Sequence, residues 1–504
     1  MFRYLRGYFA TVNPAVFTAS AVVVVGFVLF GVLAPETAGH VFNQLDAFIT
    51  EYLGWLYLVA VTFFVGFLIW LVFSRYSRIR LGQADDEPRF GLISWFSMLF
   101  SAGMGIGLVF WSVAEPMLHY QHPPAVAGGT IEAANQAMVY TFFHWGLHAW
   151  AVYVVLGLSI AYFSFRHGLP LTIRSIFYPL LGERIYGPIG HLIDVLAVFG
   201  TLFGLATSLG FGAMQLNTGL NVLFGLEISP LSQVGIIASI TAIAVISVIS
   251  GLDRGLKWLS WFNLGIALTL LLFVLVVGPS LFVLRFFLDS TGSYFQQLIG
   301  LSLATDAMRG SEWQKDWTMF YWAWWIAWSP FVSMFIARIS RGRTIREFII
   351  GVLAVPTAFV FAWMTVFGGT ALHIESFGEG GIAAAVDEDV TFALYATLEK
   401  LPLATLASGL ATLLIATYFI TSSDSGTHVV DALISRGVKH SRKQQRVIWG
   451  ITEGAVAATL LIVGGQQALA SLQTASITAG LPVAVILLFA CYNLTRALQR
   501  EFRG

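Results

Sequence analysis

The feature that most restricts this chain is a succession of apolar runs long enough to cross a bilayer. Residues 14–34 contain no charged side chain, and a transmembrane helix needs about 20 predominantly apolar residues. Further runs are read at 52–74, 91–115, 137–163, 190–213, 232–251, 258–285, 317–339, 347–371, 403–424, 446–465 and 474–497, which makes twelve. Backbone groups in hydrocarbon must be satisfied within their own segment, so each run is predicted to be a helix. The expected class is therefore an all-α polytopic membrane protein. Only 11% of residues are charged, too few to cover a soluble surface of this size. Lys plus Arg and Asp plus Glu both number 27, so the balance points to no polyanionic partner such as a nucleic acid. The single cysteine, Cys491, excludes an intrachain disulfide and a cysteine-based metal cluster.

Basic residues set the orientation. Every second connection, beginning with the N-terminus, holds Lys and Arg: 23 of the 27 lie there, from Arg3 and Arg6 through Arg338–Arg346 to Arg496–Arg503. The other four are Arg285, Arg309, Lys315 and Lys400. The split places both termini in the cytoplasm. No small-residue cleavage site follows the first run, so that span is expected to be retained. Residues 286–312 carry Phe295, Leu298, Ile299 and Leu303 at helical steps and predict an amphipathic helix on the outer surface. Asp387-Glu388-Asp389, within 373–400, reads as a solvated acidic loop followed by a helical pattern.

One span is crowded with indoles. In Tyr321-Trp322-Ala323-Trp324-Trp325-Ile326-Ala327-Trp328-Ser329-Pro330, residues Tyr321, Trp324 and Trp328 share a helical face, and Trp325 lies beside them. Pro330 is expected to break the ladder, with Ser329 able to re-satisfy freed carbonyls. A bulky packing helix would account for one such ring. Four together form a wall suited to a desolvated cation, above all a quaternary ammonium. Trp145, Trp150 and Tyr153 in the fourth span supply a second wall. The third span carries Gly103-Met104-Gly105-Ile106-Gly107, which either packs closely against a neighbour or unwinds to present backbone groups to a cavity. Spans three and eight are five apart and oppositely directed, as an inverted repeat of five-helix units requires.

Thr421-Ser422-Ser423-Asp424 ends the tenth span. Its hydroxyls can bond back to their own helix or, with carbonyls of a broken helix, ligate sodium. His144 and His148 stand at i, i+4 with no third ligand apparent, so a metal is not expected. Glu115, Asp194 and Asp424 lie near span ends and are read as gate groups or structural ion pairs; Arg338, in the basic run, is a further gate candidate. No P-loop, nucleophile triad or metal-ligand cluster is present in the sequence, so enzyme activity is not expected.

These residues resemble the betaine/choline/carnitine transporter family over nearly the whole chain. The resemblance rests on Ala102–Gly107, Ala114-Glu115-Pro116, Phe143-His144-Trp145 with Trp150 and Tyr153, and the tryptophan helix followed by Ala337–Arg343. It implies two N-terminal helices in 1–90, five-helix repeats at 91–285 and 317–498 around an external segment at 286–316, and a short cytoplasmic tail at 499–504. It also implies a homotrimer in the inner membrane of a bacterium. The family's substrate box maps onto Ala102, Met104, Trp145, Trp150, Tyr153, Trp324, Trp325 and Trp328. One sodium site maps onto carbonyls of Ser101, Met104 and Tyr418 with the hydroxyls of Thr421 and Ser422. A second would use Thr201 near Phe331, but Leu205 stands where its other threonine is needed. The short tail argues against tail-mediated osmosensing.

The expected activity is sodium-coupled import of a zwitterionic quaternary ammonium, glycine betaine first, by alternating access, with no cofactor beyond the coupling ion. Ectoine, proline betaine, carnitine and dimethylsulfoniopropionate fit the same box. Choline fits less well, because Gly107 leaves neutral a position that family choline carriers fill with an acid. A membrane solute sensor without transport is the remote alternative, and it would need a soluble signalling domain that these residues do not show.

Overall fold

A computed structural model describes residues 12–250, 253–308, 310, 312–435 and 443–502. Arg3, Arg6, Arg309, Arg436, Lys439, Arg442 and Arg503 of the charge count lie outside the described residues. The main helices are α1 (Pro14–Leu33), α2 (Pro35–Phe73), α3 (Leu92–Gly103), α4 (Ile106–Gln121), α5 (Ile131–Arg166), α6 (Pro188–Phe224), α7 (Pro230–Ser250) and α8 (Asp253–Val277). They continue with α9 (Ser280–Ser302), α10 (Phe320–Ile339), α11 (Ile345–Phe377), α12 (Ile382–Glu388), α13 (Ala393–Glu399), α14 (Ala404–Ile434), α15 (Lys443–Gly464) and α16 (Ala468–Glu501). No strand occurs among the described residues.

Among the described residues, ten helices are long and apolar enough to cross a membrane: α1, α2, α5 to α8, α11 and α14 to α16. Two of the twelve expected spans fall outside that set for visible reasons. The third is divided into α3 and α4, and the eighth, α10, is weighted with indoles and a terminal Arg338. The layering follows burial. Helix α5 is 94% buried over its apolar window, whereas α1 and α8 are 22% and 28% buried. Val22, Val25 and Leu29 of α1 and Leu272 and Val276 of α8 face outward. Such extended apolar exteriors suit hydrocarbon and not water. Inside, α10 packs against α5, α6 and α16, and α6 against α14.

Local chemistry fixes the helix ends. Asn13 caps α1, its Oδ1 accepting from the Val16 amide, with Pro14 at the first position. Thr344 and Glu347 form a reciprocal capping box at the start of α11. Between α3 and α4 the chain is extended at Met104 (φ −89°, ψ 124°) and Gly105, so the glycine-rich span unwinds as one of its two readings required. Gly107 follows because the Trp324 ring lies where a Cβ would stand.

The eighth span departs from expectation. Helix α10 runs unbroken through Pro330, because Ser329 Oγ donates to the Ile326 carbonyl at 2.7 Å, the acceptor that proline leaves free. Only one of the two helices thought to be interrupted is so. The seventh span ends at Val277, short of residue 285, where Gly278 and Pro279 stop the helix. The external helix thus starts at Ser280, with Val283, Phe286 and Tyr294 packed inward and Phe295, Ile299 and Leu303 turned away from the protein. The acidic run is no loop. Asp387 and Glu388 end α12, whose Ile382 and Val386 are buried, and Asp389 caps the turn into α13 by accepting from the Thr391 amide at 2.9 Å.

The basic run after α10 is used as a clasp. The segment after α2 pairs with it: Leu81 N–H donates to the Arg343 carbonyl, Gly342 N–H to Leu81 and Ile345 N–H to Ile79, at 2.8 to 2.9 Å. Arg343 donates to the Phe90 carbonyl at 2.7 Å and lies over the Trp95 ring, 4.7 Å from its centroid. Arg341 pairs with Asp86 at 3.1 Å. The clasp joins the start of α3 to the end of α10.

Candidate functional site

The two aromatic walls meet. Trp145, Trp150 and Tyr153 from α5 and Trp324, Trp325 and Trp328 from α10 enclose a narrow hollow of about 40 Å³, closed on a third side by Met104, Gly105 and Gly107. Ala102 belongs to the last turn of α3. Trp324 and Trp325 stack at 4.7 Å, and Trp145 stands edge-on to Trp325 at 4.8 Å. Tyr153 meets Trp150 edge-on at 5.4 Å. Helical spacing on α10 and the sharp backbone at Gly146, which separates Trp145 from Trp150, give the rings these directions.

Three indoles are fixed by hydrogen bonds. Trp325 Nε1 donates to the His144 carbonyl at 2.8 Å, Trp324 Nε1 to Gly204 at 3.4 Å, and Trp145 Nε1 to Glu115 Oε2 at 2.6 Å. Trp328 Nε1 and the Tyr153 hydroxyl are buried donors with no protein partner, on residues that line the hollow. A ring-lined hollow with such donors can take an ammonium against its faces and an anionic group at its polar atoms.

The hollow adjoins a larger chamber of about 330 Å³, with which it shares Met104, Trp328 and Ser422. The structure brings all five expected sodium-ligand residues, Ser101, Met104, Tyr418, Thr421 and Ser422, onto this chamber. Thr421 Oγ1 bonds back to the carbonyls of Thr417 (3.0 Å) and Tyr418 (3.1 Å), and Asn263 Nδ2 approaches it at 3.2 Å. Asn263 was not singled out in the sequence, although an amide within an apolar span is the signal that could have found it. Thr201 and Phe331 are not joined in either cavity. Thr201 donates to the Ala197 carbonyl at 2.7 Å, while Phe331 lines the chamber. The Leu205 side chain fills the space against Gly426.

The gate candidates separate. Arg338 lines the chamber with His428. Asp424 is buried, its Oδ2 3.8 Å from His428 Nε2. Asp194 is a structural ion pair, bound to Arg174 Nε at 2.6 Å. Glu115 does not stand at a mouth: it is fully buried beside the hollow. Its Oε1 meets His144 Nδ1 at 2.7 Å and His119 Nε2 at 3.3 Å, and its Oε2 accepts from Trp145 and, at 2.5 Å, from the Tyr321 hydroxyl. The sequence concealed this cluster because its members come from α4, α5 and α10.

Glu115, His119 and His144 bring metal-ligating atoms within 4.8 Å of one another, a grouping that sequence reasoning missed. Both carboxylate oxygens are already occupied by hydrogen bonds. His144 and His148 do not converge: His148 bonds Ser302 Oγ at 2.9 Å and stacks on Trp322.

Comparison with known proteins agrees with this architecture. A model of the BCCT, betaine/carnitine/choline family transporter matches residues 15–503. A probable glycine betaine transporter of Desulfitobacterium hafniense is 45% identical over 97% of this chain and 98% of its own. The glycine betaine transporter OpuD of Bacillus subtilis is 46% identical over 94% and 92%. The high-affinity choline transport protein of Escherichia coli is 41% identical over 97% and 72%. A broken helix facing a ring-lined hollow inside an apolar bundle is thus part of a multi-pass transporter and not of an enzyme, and the chain belongs to the betaine/carnitine/choline transporter family.

Proposed function

We propose that this protein imports glycine betaine, driven by sodium, across the inner membrane of a bacterium by alternating access. The observation that carries the reading is the closure of indole rings from α5 and α10 around one hollow opposite the unwound Met104–Gly105 backbone. The methylated ammonium sits among the rings. The carboxylate is met by the unpartnered Trp328 and Tyr153 donors and by the free amides opening α4. Sodium is held by carbonyls of Ser101, Met104 and Tyr418 and by the hydroxyls of Thr421 and Ser422. A hydroxyl oxygen has two lone pairs, so Thr421 retains one for a cation beside its Asn263 contact. One sodium site suits this chain, since Leu205 and the back-bonded Thr201 leave no ready second site.

In this reading α3–α4 and α10 are spans as well, which gives twelve, with both termini cytoplasmic and three copies assembled. One relative is named a glycine betaine transporter and another a probable one, which supports that substrate over ectoine, carnitine and the other compatible solutes. Choline is the second reading, since one relative is a choline carrier; Gly107, held against Trp324, disfavours it by leaving no acid in the hollow. The test is uptake of labelled glycine betaine by proteoliposomes with and without a sodium gradient. Gradient-dependent accumulation is expected. Binding without accumulation would identify a sensor, and accumulation indifferent to sodium would remove the coupling ion.

A further inference from the structure

The carboxylate behind the hollow has a task that its contacts define. Ionised, Glu115 can accept all four of its neighbours' hydrogens; protonated, it would have to donate to one of them. Trp145 Nε1 can only donate, and Tyr321 O–H satisfies the same oxygen at 2.5 Å. His144 is satisfied as a neutral ring in either tautomer, with Nδ1 against Glu115 Oε1 at 2.7 Å and Nε2 against Thr318 Oγ1 at 3.0 Å. His119 Nδ1 has no protein partner, so a second ring proton there would be a buried, unbonded donor. As an anion Glu115 is held by four neutral donors, and such charge-assisted bonds offset much of the desolvation of a buried carboxylate.

The carboxyl lies directly behind one wall. Trp145 and Tyr321 come from different helices, their rings are 5.6 Å apart, and one oxygen of Glu115 holds both. An indole whose N–H is bonded to a carboxylate becomes richer in π-electrons, and an uncompensated charge in a dry site acts over several ångströms. We infer that Glu115 is a positioning and specificity residue: without touching the ligand it locks Trp145 against Tyr321 and biases the hollow toward cationic headgroups. The inference rests on the reading of the hollow as the ammonium site.

The test compares two ligands of one shape, glycine betaine and 3,3-dimethylbutanoate, whose tertiary-butyl group replaces the trimethylammonium without its charge. Equilibrium dissociation constants are measured on the purified full-length protein and on Glu115→Gln. The substitution is expected to weaken betaine about tenfold and to move the neutral isostere by less than about twofold. Equal losses for both would reduce Glu115 to a packing role, and no change in either would remove it from recognition; both results overturn the inference. If Glu115→Gln does not fold, Glu115→Asp carries the test by drawing the charge back one methylene. It is expected to weaken betaine about threefold with the isostere unmoved, and equal or absent changes overturn the inference there too. Failure of the unsubstituted protein to bind betaine overturns the ammonium site itself, a result distinct from an unchanged Glu115→Gln.

Discussion

At the scale of single residues, the hollow depends on rings that keep their directions. Trp328 is the ring shared by hollow and chamber, and its N–H has no protein partner. Trp328→Ala is expected to reduce betaine uptake at least about 100-fold, a loss on the scale of a desolvated cation–π contact plus one hydrogen bond. Immunoblotting of membranes checks that the variant arrives there. Thr421→Ala with Ser422→Ala is expected to raise the sodium concentration for half-maximal uptake while leaving the maximal rate at saturating sodium less affected. An unchanged sodium dependence would place the ion elsewhere. The ring positions were legible because three- and four-residue spacing is a property of one helix. The partners of Glu115 were not legible because they are distant in sequence: Trp145 is 30 residues away and Tyr321 is 206.

At the scale of elements, the glycines of the third span announced their break, since helix propensity and close approach both act locally. The continuity of α10 was only half legible: Ser329 was readable as a repair for the acceptor freed by Pro330, but that the helix runs on unbroken was not. The acidic run was misread because burial of Ile382 and Val386 draws Asp387 and Glu388 into a helix end. The clasp was invisible, being a backbone pairing between segments some 260 residues apart. Its Asp86 carboxyl is held below its ordinary range, first by the Gln83 amide and then by Arg341. A folded-state value below the unfolded one stabilises above the unfolded value and is lost as pH falls through the folded one. Asp86→Asn is therefore expected to melt below the parent at neutral pH, with the two converging under acid conditions below the ordinary carboxylate range. Thermal unfolding across pH checks this, and a gap that persists in acid would assign the difference to packing.

At the scale of the whole molecule, the apolar runs and their exposed faces identified a membrane bundle before any contact was known. The alternation of basic connections needed only the signs of side chains. What composition could not convey was the joining of hollow and chamber through Met104, Trp328 and Ser422. If both ligands use these residues, their affinities are linked. Saturating sodium is expected to lower the betaine dissociation constant by the same factor by which betaine lowers that of sodium. Calorimetric titrations in both orders measure the two factors, and a factor of one in both would show that the sites are not coupled.

The pairing of Leu81 with Gly342 and Arg343 has a mechanical outcome. Together with Trp95 Nε1, which donates to Ser340 Oγ at 2.9 Å, it ties the start of α3 to the far end of the tryptophan helix. From there α3 continues to the break in its amide-to-carbonyl ladder at Met104 and Gly105. That break lies against both hollow and chamber, and a bend there would reshape their walls.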